Sequence, residues 1–496
     1  MRYKYLLFLI FILVFVVRLL VTYNTPSFSY DTYDLFRQVD SILNNGFPLF
    51  YDELSHGGRE RVFSPLYGYL LAFFSLFFST EFVFNVIPNL LGSLTVLIVF
   101  YLIYQITNRE SASLIFAGLS GFIPVFFLGT VNSASVLNLV VPLFLITIHY
   151  FLLSNKDPKH VYKLIFSIIL LTLLHPISIV LSIGLIIYLL FLRVKNFRES
   201  NRESEIVLFF SFLVFWLNMI VYKRALLSHN NPFIWKNIPT NLLNTSYGNI
   251  SFLEAVYGIG SVILILGVLG IYFNLFDSKR KSVTLFMSLT IVFASLVFLR
   301  ILDIFTGLIF LGVVLCILSA YAYVNIIDFI NNFKYKFTSF LFIFFIIFIQ
   351  IGLFLPSLNA SMQNINSPSV LDIEAAKFMS DFEDVKILTQ YNEGNFFSYY
   401  SNQKVVIDSD FLLVGNVDKF YDDASGVYRD RFLTDALSKL TRLKVTHIFL
   451  SENYQIRSNK TGLLYYDDNC IRLIYPEDTS YVYHPKIYEV RCLLNE

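Results

Sequence analysis

Residues 5–22 read YLLFLIFILVFVVRLLVT, eighteen positions with Arg18 as the one charge. As an α-helix this stretch rises about 27 Å, close to the roughly 30 Å hydrocarbon core of a bilayer. No small-residue cleavage pattern follows it, so it reads as a retained first transmembrane helix rather than a removed signal. Arg18 is costly in lipid and reads as a residue that snorkels outward or faces the cavity of the next loop. Apolar runs recur at 83–105, 112–128, 135–153, 161–175, 177–193, 206–222, 255–275, 282–299, 304–324 and 337–355. Together they predict about eleven spans. The run 66–79 starts after Pro65 and reads as an interfacial or re-entrant helix; counting it as a span would invert everything downstream.

Composition points the same way. Of 496 residues, 56% are hydrophobic and 15% charged, and the chain holds 54 Phe and 32 Tyr. A soluble domain of this size cannot bury so many, so the excess faces lipid. A net charge of +1 provides no polyanion-binding field, and no nucleic-acid partner is expected. The three cysteines are too few for a disulfide framework. Cys316 lies in an apolar run and reads as a small buried hydrophobe. Cys470 and Cys492 both fall in the outer tail, where a disulfide is allowed, and the sequence leaves that pairing open.

With 66–79 not counted, the inner segments carry fifteen Lys and Arg, against seven in outer loops of about twice the length. This asymmetry places the N-terminus in the cytoplasm and the C-terminus outside. The sequons at Asn244, Asn249, Asn359 and Asn459 then lie outside as well. The transmembrane unit covers 1–356 and has a large first external loop at 23–82. The tail, 357–496, carries 20 Asp and Glu against 14 Lys and Arg. Its capped helix after Ser369, the β-branched stretches VKILTQ (385–390), KVVID (404–408) and THIFLS (446–451), and a helical pattern from Asp430 to Leu443 predict an α/β domain with a parallel core. Two further β-rich stretches after Gly462 read as a hairpin turning at Asp467-Asp468-Asn469. The fold class is therefore a polytopic α-helical membrane protein with a C-terminal α/β extracytoplasmic domain.

The densest polar pattern of the N-terminal half is SYDTYDLFRQVDSILNNG, residues 29–46. Asp31, Asp34, Arg37 and Asp40 recur every three positions and Leu35, Val39 and Leu43 every four, which predicts an amphipathic helix ending at Asn45-Gly46. Ser29 is a plausible N-cap and puts Asp31 in the first turn, near the positive end of the helix dipole. Periodicity alone is equally served by a solvated face on an interfacial helix.

Tyr30-Asp31-Thr32-Tyr33 with Arg37 following, Asn45-Gly46-Phe47-Pro48, and then Arg61 with Phe63-Ser64-Pro65-Leu66-Tyr67 resemble the first external loop of GT-C glycosyltransferases, polytopic enzymes that use polyprenyl-linked sugars. The nearest similarity is to the catalytic subunit of oligosaccharyltransferases. In the tail, Gln390-Tyr391-Asn392-Glu393-Gly394-Asn395-Phe396, followed by Lys404-Val405-Val406-Ile407-Asp408, stands where that family has its Trp-Trp-Asp-Tyr-Gly element and the strand after it. Only Gly394 of that element is retained, which puts sequon recognition in doubt. Where the family carries an Asp-x-Asp metal motif in its second external loop, Gly129-Thr130-Val131-Asn132-Ser133-Ala134 has no carboxylate. Asp31 with Asn132 and carbonyls would make a weak ligand set for a divalent cation.

The resemblance implies transfer of a sugar from a polyprenyl-phosphate donor to an acceptor glycan, lipid or protein, with membrane lipid as a further partner. Without a metal, such a transfer needs cations on the phosphate and a carboxylate to take the acceptor's proton. Asp31 is the candidate base; Asp34 either orients substrate, raises the proton affinity of Asp31, or is a plain surface acid. Arg59, Arg61 and Arg300 are candidates for the phosphate, with an Arg300–Asp303 ion pair as the competing reading of the last. Arg37, His56, His175 and Glu393 are candidate substrate-binding residues. His56 with Asp52 and Glu53 could also hold a metal or sugar hydroxyls, whereas a lone His such as His175 is more often structural. A non-catalytic subunit of the same fold and a transporter are the rival classes.

Overall fold

The computed structural model describes residues 2–154, 157–195, 201–229, 231–276, 280–332, 336–363, 366–476 and 483–492. The first half runs α1 (Arg2–Asn24), α2 (Tyr30–Asn45), a short pair β1 (Tyr51–Asp52) and β2 (Arg59–Glu60), α3 (Leu66–Ser75), α4 (Thr80–Thr107), α5 (Glu110–Gly121), α6 (Pro124–Thr130), α7 (Leu137–Ser154) and α8 (Val161–Leu174). It continues with α9 (Ile177–Val194), α10 (Asn201–His229), α11 (Thr240–Tyr247), α12 (Phe252–Ile259), α13 (Ser261–Phe276), α14 (Lys281–Phe298), α15 (Ile304–Asn332) and α16 (Lys336–Gln363).

Among the described residues eight helices, α1, α4, α7, α9, α10, α14, α15 and α16, are long and apolar enough to cross a bilayer. Two bent pairs, α5–α6 at 45° and α12–α13 at 98°, bring the count to ten. The expected eleventh span, 161–175, forms α8, which at 14 residues is shorter than the eight long helices; its C-terminal end meets the first loop, where Ser64 Oγ donates to the Leu173 carbonyl. The ambiguous run 66–79 forms α3, a helix of 10 residues that is too short to span, as its interfacial reading requires. The boundary expected at 356/357 falls inside α16, which passes through Pro356 to Gln363.

Apolar side chains left exposed, such as Phe8 and Leu13 on α1, Phe212 and Phe215 on α10, and Phe344 and Phe348 on α16, make the lipid-facing surface. Between helices the packing relies on small residues. Gly270 of α13 lies against the Leu318 carbonyl of α15 so closely that a Cβ would collide with it.

Arg18 corrects the sequence reading, because it does not snorkel. It is fully buried, and its guanidinium donates to Asn89 Oδ1 at 3.1 Å, Thr130 Oγ1 at 2.8 Å and Asn138 Oδ1 at 2.7 Å. It also donates to the Thr130 carbonyl at 3.1 Å and lies 5.4 Å from the Phe126 ring centroid. Oriented amides and a carbonyl replace the water that an outward arginine would find. A Cβ at Gly92 would stand 2.8 Å from the guanidinium, so this glycine makes the room.

The tail contains α17 (Val370–Phe378), β3 (Lys386–Leu388), α18 (Gly394–Ser401), β4 (Lys404–Val405), α19 (Val417–Val427), α20 (Leu433–Leu443), β5 (His447–Leu450), α21 (Glu452–Ser458), β6 (Ile471–Tyr475) and β7 (Lys486–Val490). A capping box of Ser369 and Asp372 starts α17. The sheet order is β4-β3-β5-β7-β6, with β4, β3 and β5 parallel, so the parallel core is present. The hairpin is not where it was expected: β6 starts at Ile471 and pairs antiparallel with β7, so the connection lies beyond Tyr475 and not at Asp467–Asn469. Cys470 and Cys492, which flank that pair of strands, form a disulfide. Cys316 is buried and free.

Candidate functional site

The helix α2 forms as its pattern dictates. Ser29 enters it in an extended conformation, and Gly46 closes it at φ 78° with its N–H bonded to the Ile42 carbonyl. Its N-terminal end is anchored by tertiary contacts. The Ser29 N–H donates to the Asn132 carbonyl at 3.1 Å, and Tyr33 packs on Phe396 of α18 with centroids 5.4 Å apart. The second outer segment and the tail thus clamp α2 from two sides.

The rest of the first loop docks onto the exposed edge of the tail sheet. The Val405 N–H donates to the Leu54 carbonyl at 2.6 Å, and Ser55 bridges to Val405 in parallel, so the loop covers edge strand β4. One buried carboxylate, Asp408, holds this junction. It accepts from Ser55 Oγ at 2.7 Å and from Arg59 Nη2 at 2.8 and 2.9 Å, and pairs with His56 Nε2 at 3.1 Å. Burial by itself would raise the Asp408 carboxyl; the His56 hydrogen bond and the Arg59 charge outweigh it and hold the group well below the usual carboxylate range. Gly394 backs the junction, with its Cα against the Ile407 carbonyl and Asp408 where no Cβ fits.

These contacts redistribute the candidate residues. Arg59 is held by Asp408, by Asp410 at 3.5 Å and by the Leu412 carbonyl at 3.2 Å. Arg61 pairs with Asp34 at 2.6 Å and with Asp410 at 3.4 Å. Arg37 is locked to Asp52 at 2.5 Å and to Asn395 at 2.8 Å. The expected grouping of Asp52, Glu53 and His56 does not form, because Asp52 turns to Arg37, His56 to Asp408, and Glu53 to solvent. Arg300 donates to Asn249 at 2.7 Å, while Asp303 caps α15 by accepting from the Thr306 N–H at 2.9 Å, in place of the expected local ion pair. His175 Nδ1 accepts from the Ile177 N–H at 3.1 Å, a local cap at the α8–α9 turn.

Asp31 is different. Solvent reaches its carboxyl, and among the described residues no cation is paired with it. Protein encloses the remaining sides. That partial loss of water is the first cause raising its pKa above the ordinary aspartate value; the neighbouring Asp34 charge adds to the rise, and Lys236 opposes it. The Asp31 charge also acts on Tyr391, whose hydroxyl pKa it helps to raise. Sequence reading missed both Lys236 and Tyr391. Lys236 stands in the turn before α11 and carried no signal beyond its charge; Tyr391 lay within the quoted Gln390–Gly394 element. Lys236 and Asn237 both adopt positive φ, 51° and 54°, and the Asn237 side chain fastens this turn to the Phe411 and Val414 carbonyls at 2.9 Å each. Such backbone strain in two non-glycine residues persists only where the surroundings hold it.

A cleft of about 510 Å³ opens between the first loop and the C-terminal part of α10. Phe63, Ile220 and Val221 form an apolar wall, and Arg61, Lys223 and Arg224 contribute cations. Arg61 joins the cleft to Asp34 and so to the Asp31 face of α2. For a divalent ion the residues do not fit: among the described residues no three His, Cys, Asp or Glu side chains gather, and Asn132 Oδ1 accepts from Thr25 at 2.9 Å instead of facing Asp31.

Glu393 also departs from expectation. It points into the tail core, where Ser451 donates to it at 2.5 Å, and burial pushes its carboxyl up to about 8 from an ordinary 4.5. Because the folded state holds the proton more tightly than the unfolded chain, this group's support is complete below pH 4.5 and declines as pH rises towards 8. Thermal unfolding of the purified protein should therefore show stability falling across that window, and Glu393→Gln should flatten the slope. An unchanged slope in the variant would count against a protonated Glu393.

No family profile and no curated protein matches the chain at the level of sequence. In three dimensions it is similar to the oligosaccharyltransferase of Archaeoglobus fulgidus in the apo form, with a TM-score of 0.70 at 12% identity, over 91% of this chain and 70% of that one. The fold is that of the GT-C membrane glycosyltransferases. The same archaeal enzyme in complex with an inhibitory peptide and a dolichol-phosphate aligns at TM-score 0.69 and 14% identity, over 90% of this chain and 69% of that one. ArnT from Cupriavidus metallidurans bound to undecaprenyl phosphate aligns at TM-score 0.57 and 11% identity, over 97% of each chain.

Proposed function

We propose that this protein is a membrane glycosyltransferase that moves a sugar from a polyprenyl-phosphate donor to an acceptor on the outer face of the membrane, with Asp31 as the base. The observation that carries this reading is the Asp31 carboxyl: accessible, unpaired among the described residues and raised in proton affinity, while Asp34 beside it and Asp52 and Asp408 of the same junction are tied to arginines. In the transfer the acceptor oxygen attacks the sugar's anomeric carbon, the bond from that carbon to the phosphate oxygen breaks, and the acceptor proton passes to Asp31. The polyprenyl phosphate leaves with the electron pair. Lys236 and Lys223 stabilise the phosphate charge, and the apolar wall of the 510 Å³ cleft takes the start of the isoprenoid chain. Supporting context is that the archaeal oligosaccharyltransferase was captured with a dolichol-phosphate and ArnT with undecaprenyl phosphate.

A second reading, protein N-glycosylation, is favoured by the TM-score of 0.70 against 0.57. It requires Tyr391 to do the work of the family's aromatic pair. Cells lacking the protein should accumulate a polyprenyl-linked sugar and lose one glycosylated product, whose identity as glycan, lipid or protein separates the two readings. In the same cells a cysteine at Asn459 should react with an impermeant reagent in intact cells and one at Lys159 only after permeabilisation. Unchanged lipid-linked sugars would sink the enzyme reading, and reversed labelling would remove the site from the outer face.

A further inference from the structure

A second cavity, of about 590 Å³, opens at the outer ends of α1 and α4, beneath α18 of the tail. Asp31 does not line it. Tyr33 and Phe36 do, and at about 100° per residue they project from the face of α2 that is turned roughly 140° or more from Asp31. Two spaces are thus separated by one helix.

The chemistry of the second space is distinctive. Tyr33, Tyr399 and Tyr400 form a cup, with centroids 5.7 Å (Tyr33–Tyr399), 5.6 Å (Tyr33–Tyr400) and 5.0 Å (Tyr399–Tyr400) apart and planes tilted by 47°, 56° and 75°. Glu81, Asn85 and Asn132 face the same volume, and no lysine, arginine or histidine lines it. A phosphate or carboxylate ligand would meet the Glu81 carboxylate and no cation in the lining, because the Lys377 ammonium is engaged over the Tyr400 ring, 5.6 Å from its centroid, so anions are disfavoured. Aromatic faces beside a carboxylate and two amides match a ring that is apolar on its C–H face and hydroxylated at its edge, and the volume lies within the range of small-molecule sites.

We infer that this cavity is a subsite for an uncharged saccharide, separate from the transfer centre. The inference extends the glycosyltransferase reading, yet it concerns binding and needs no turnover. Glu81 and Asn85 hydrogen-bond ring hydroxyls, and the tyrosine cup takes the C–H face. A glycan held here occupies the far side of α2 from Asp31 and anchors a longer acceptor or product by a residue that does not react.

The test is saturation-transfer NMR on the full chain in nanodiscs, with the methyl glycosides of glucose, mannose, galactose and N-acetylglucosamine as probes and glucuronate and ethanolamine as charged controls. At least one neutral glycoside should receive saturation on its ring protons. Glu81→Gln should weaken that signal at least fivefold, and so should Tyr400→Ala, while Asp31→Asn should leave it intact. Glu81→Gln alters an exposed side chain, so its folding is secure even if Tyr400→Ala disturbs α18. No saturation with any neutral glycoside overturns the inference, as does a signal that survives both cavity variants. A Glu81-dependent signal from ethanolamine alone would assign the cavity to an amine instead. Glycoside binding without any transfer activity would sink only the proposed function, and transfer without glycoside binding only this subsite.

Discussion

Asp31→Asn is expected to lower sugar transfer by roughly 10²-fold or more with protein abundance unchanged, the usual worth of a positioned general base. The substitution keeps size and removes basicity. Asp31 is exposed to solvent in the first turn of α2, so no packing or ion pair is lost with it. The measurement is accumulation of lipid-linked sugar and loss of product in cells carrying only the variant. Asp40→Asn is the control: nine residues on, it sits about 180° around the helix from Asp31 and should keep near-normal transfer. The pH profile adds a second readout. Enclosure and the Asp34 charge raise the Asp31 carboxyl, so the acidic limb of kcat/KM should lie above the ordinary aspartate value. Lys236 pulls the other way, and Lys236→Met should therefore move that limb further up while weakening donor binding. Wild-type transfer by Asp31→Asn would rule Asp31 out as the base and favour a non-catalytic subunit.

Asp408→Ala should destabilise the whole protein by about 3 kcal/mol, because it removes the nearer and doubly bonded carboxylate from the buried Arg59 guanidinium and leaves only Asp410, at 3.5 Å. Ser55 and His56 lose their acceptor in the same step, and the first loop comes away from β4. The expected signature is a lower unfolding temperature in detergent together with rapid proteolysis in the segment containing β1 and β2. Transfer falls too, but in proportion to folded protein, unlike the effect at Asp31. The pH dependence follows from the depressed carboxyl: the stabilisation is complete above the ordinary value of 3.8 and is lost as pH falls below it. A variant that melts like the wild type would mean that the Asp408 network contributes nothing net.

The two substitutions separate chemistry from architecture, and the residues involved differ in how they could be found. Asp31 was visible in the sequence as a first-turn acid on an amphipathic helix closed by Gly46, since periodicity and the C-terminal glycine act within a few residues, although Ser29 at the N-cap makes no side-chain bond to the helix backbone. Arg59 and Arg61 were equally visible as loop cations, but the carboxylates that hold them were not. What decides a cation's role is the charge nearest to it in space, and the partner of Arg59 stands 349 positions further along the chain. Lys236 illustrates the converse, an inconspicuous lysine whose charge acts on Asp31 from a turn that Asn237 ties to the tail.

From the sequence alone came the membrane class, the non-spanning run at 66–79, the helix carrying Asp31 and the parallel core of the tail. Each rests on hydropathy, caps or alternation, which are properties of consecutive residues and survive without knowledge of neighbours. The burial of Arg18, the turn between β6 and β7, the inward direction of Glu393 and the docking of the first loop on β4 were decided by tertiary structure only. Those outcomes depend on which polar groups meet in places that exclude water, and a buried charge takes whichever partner the fold delivers.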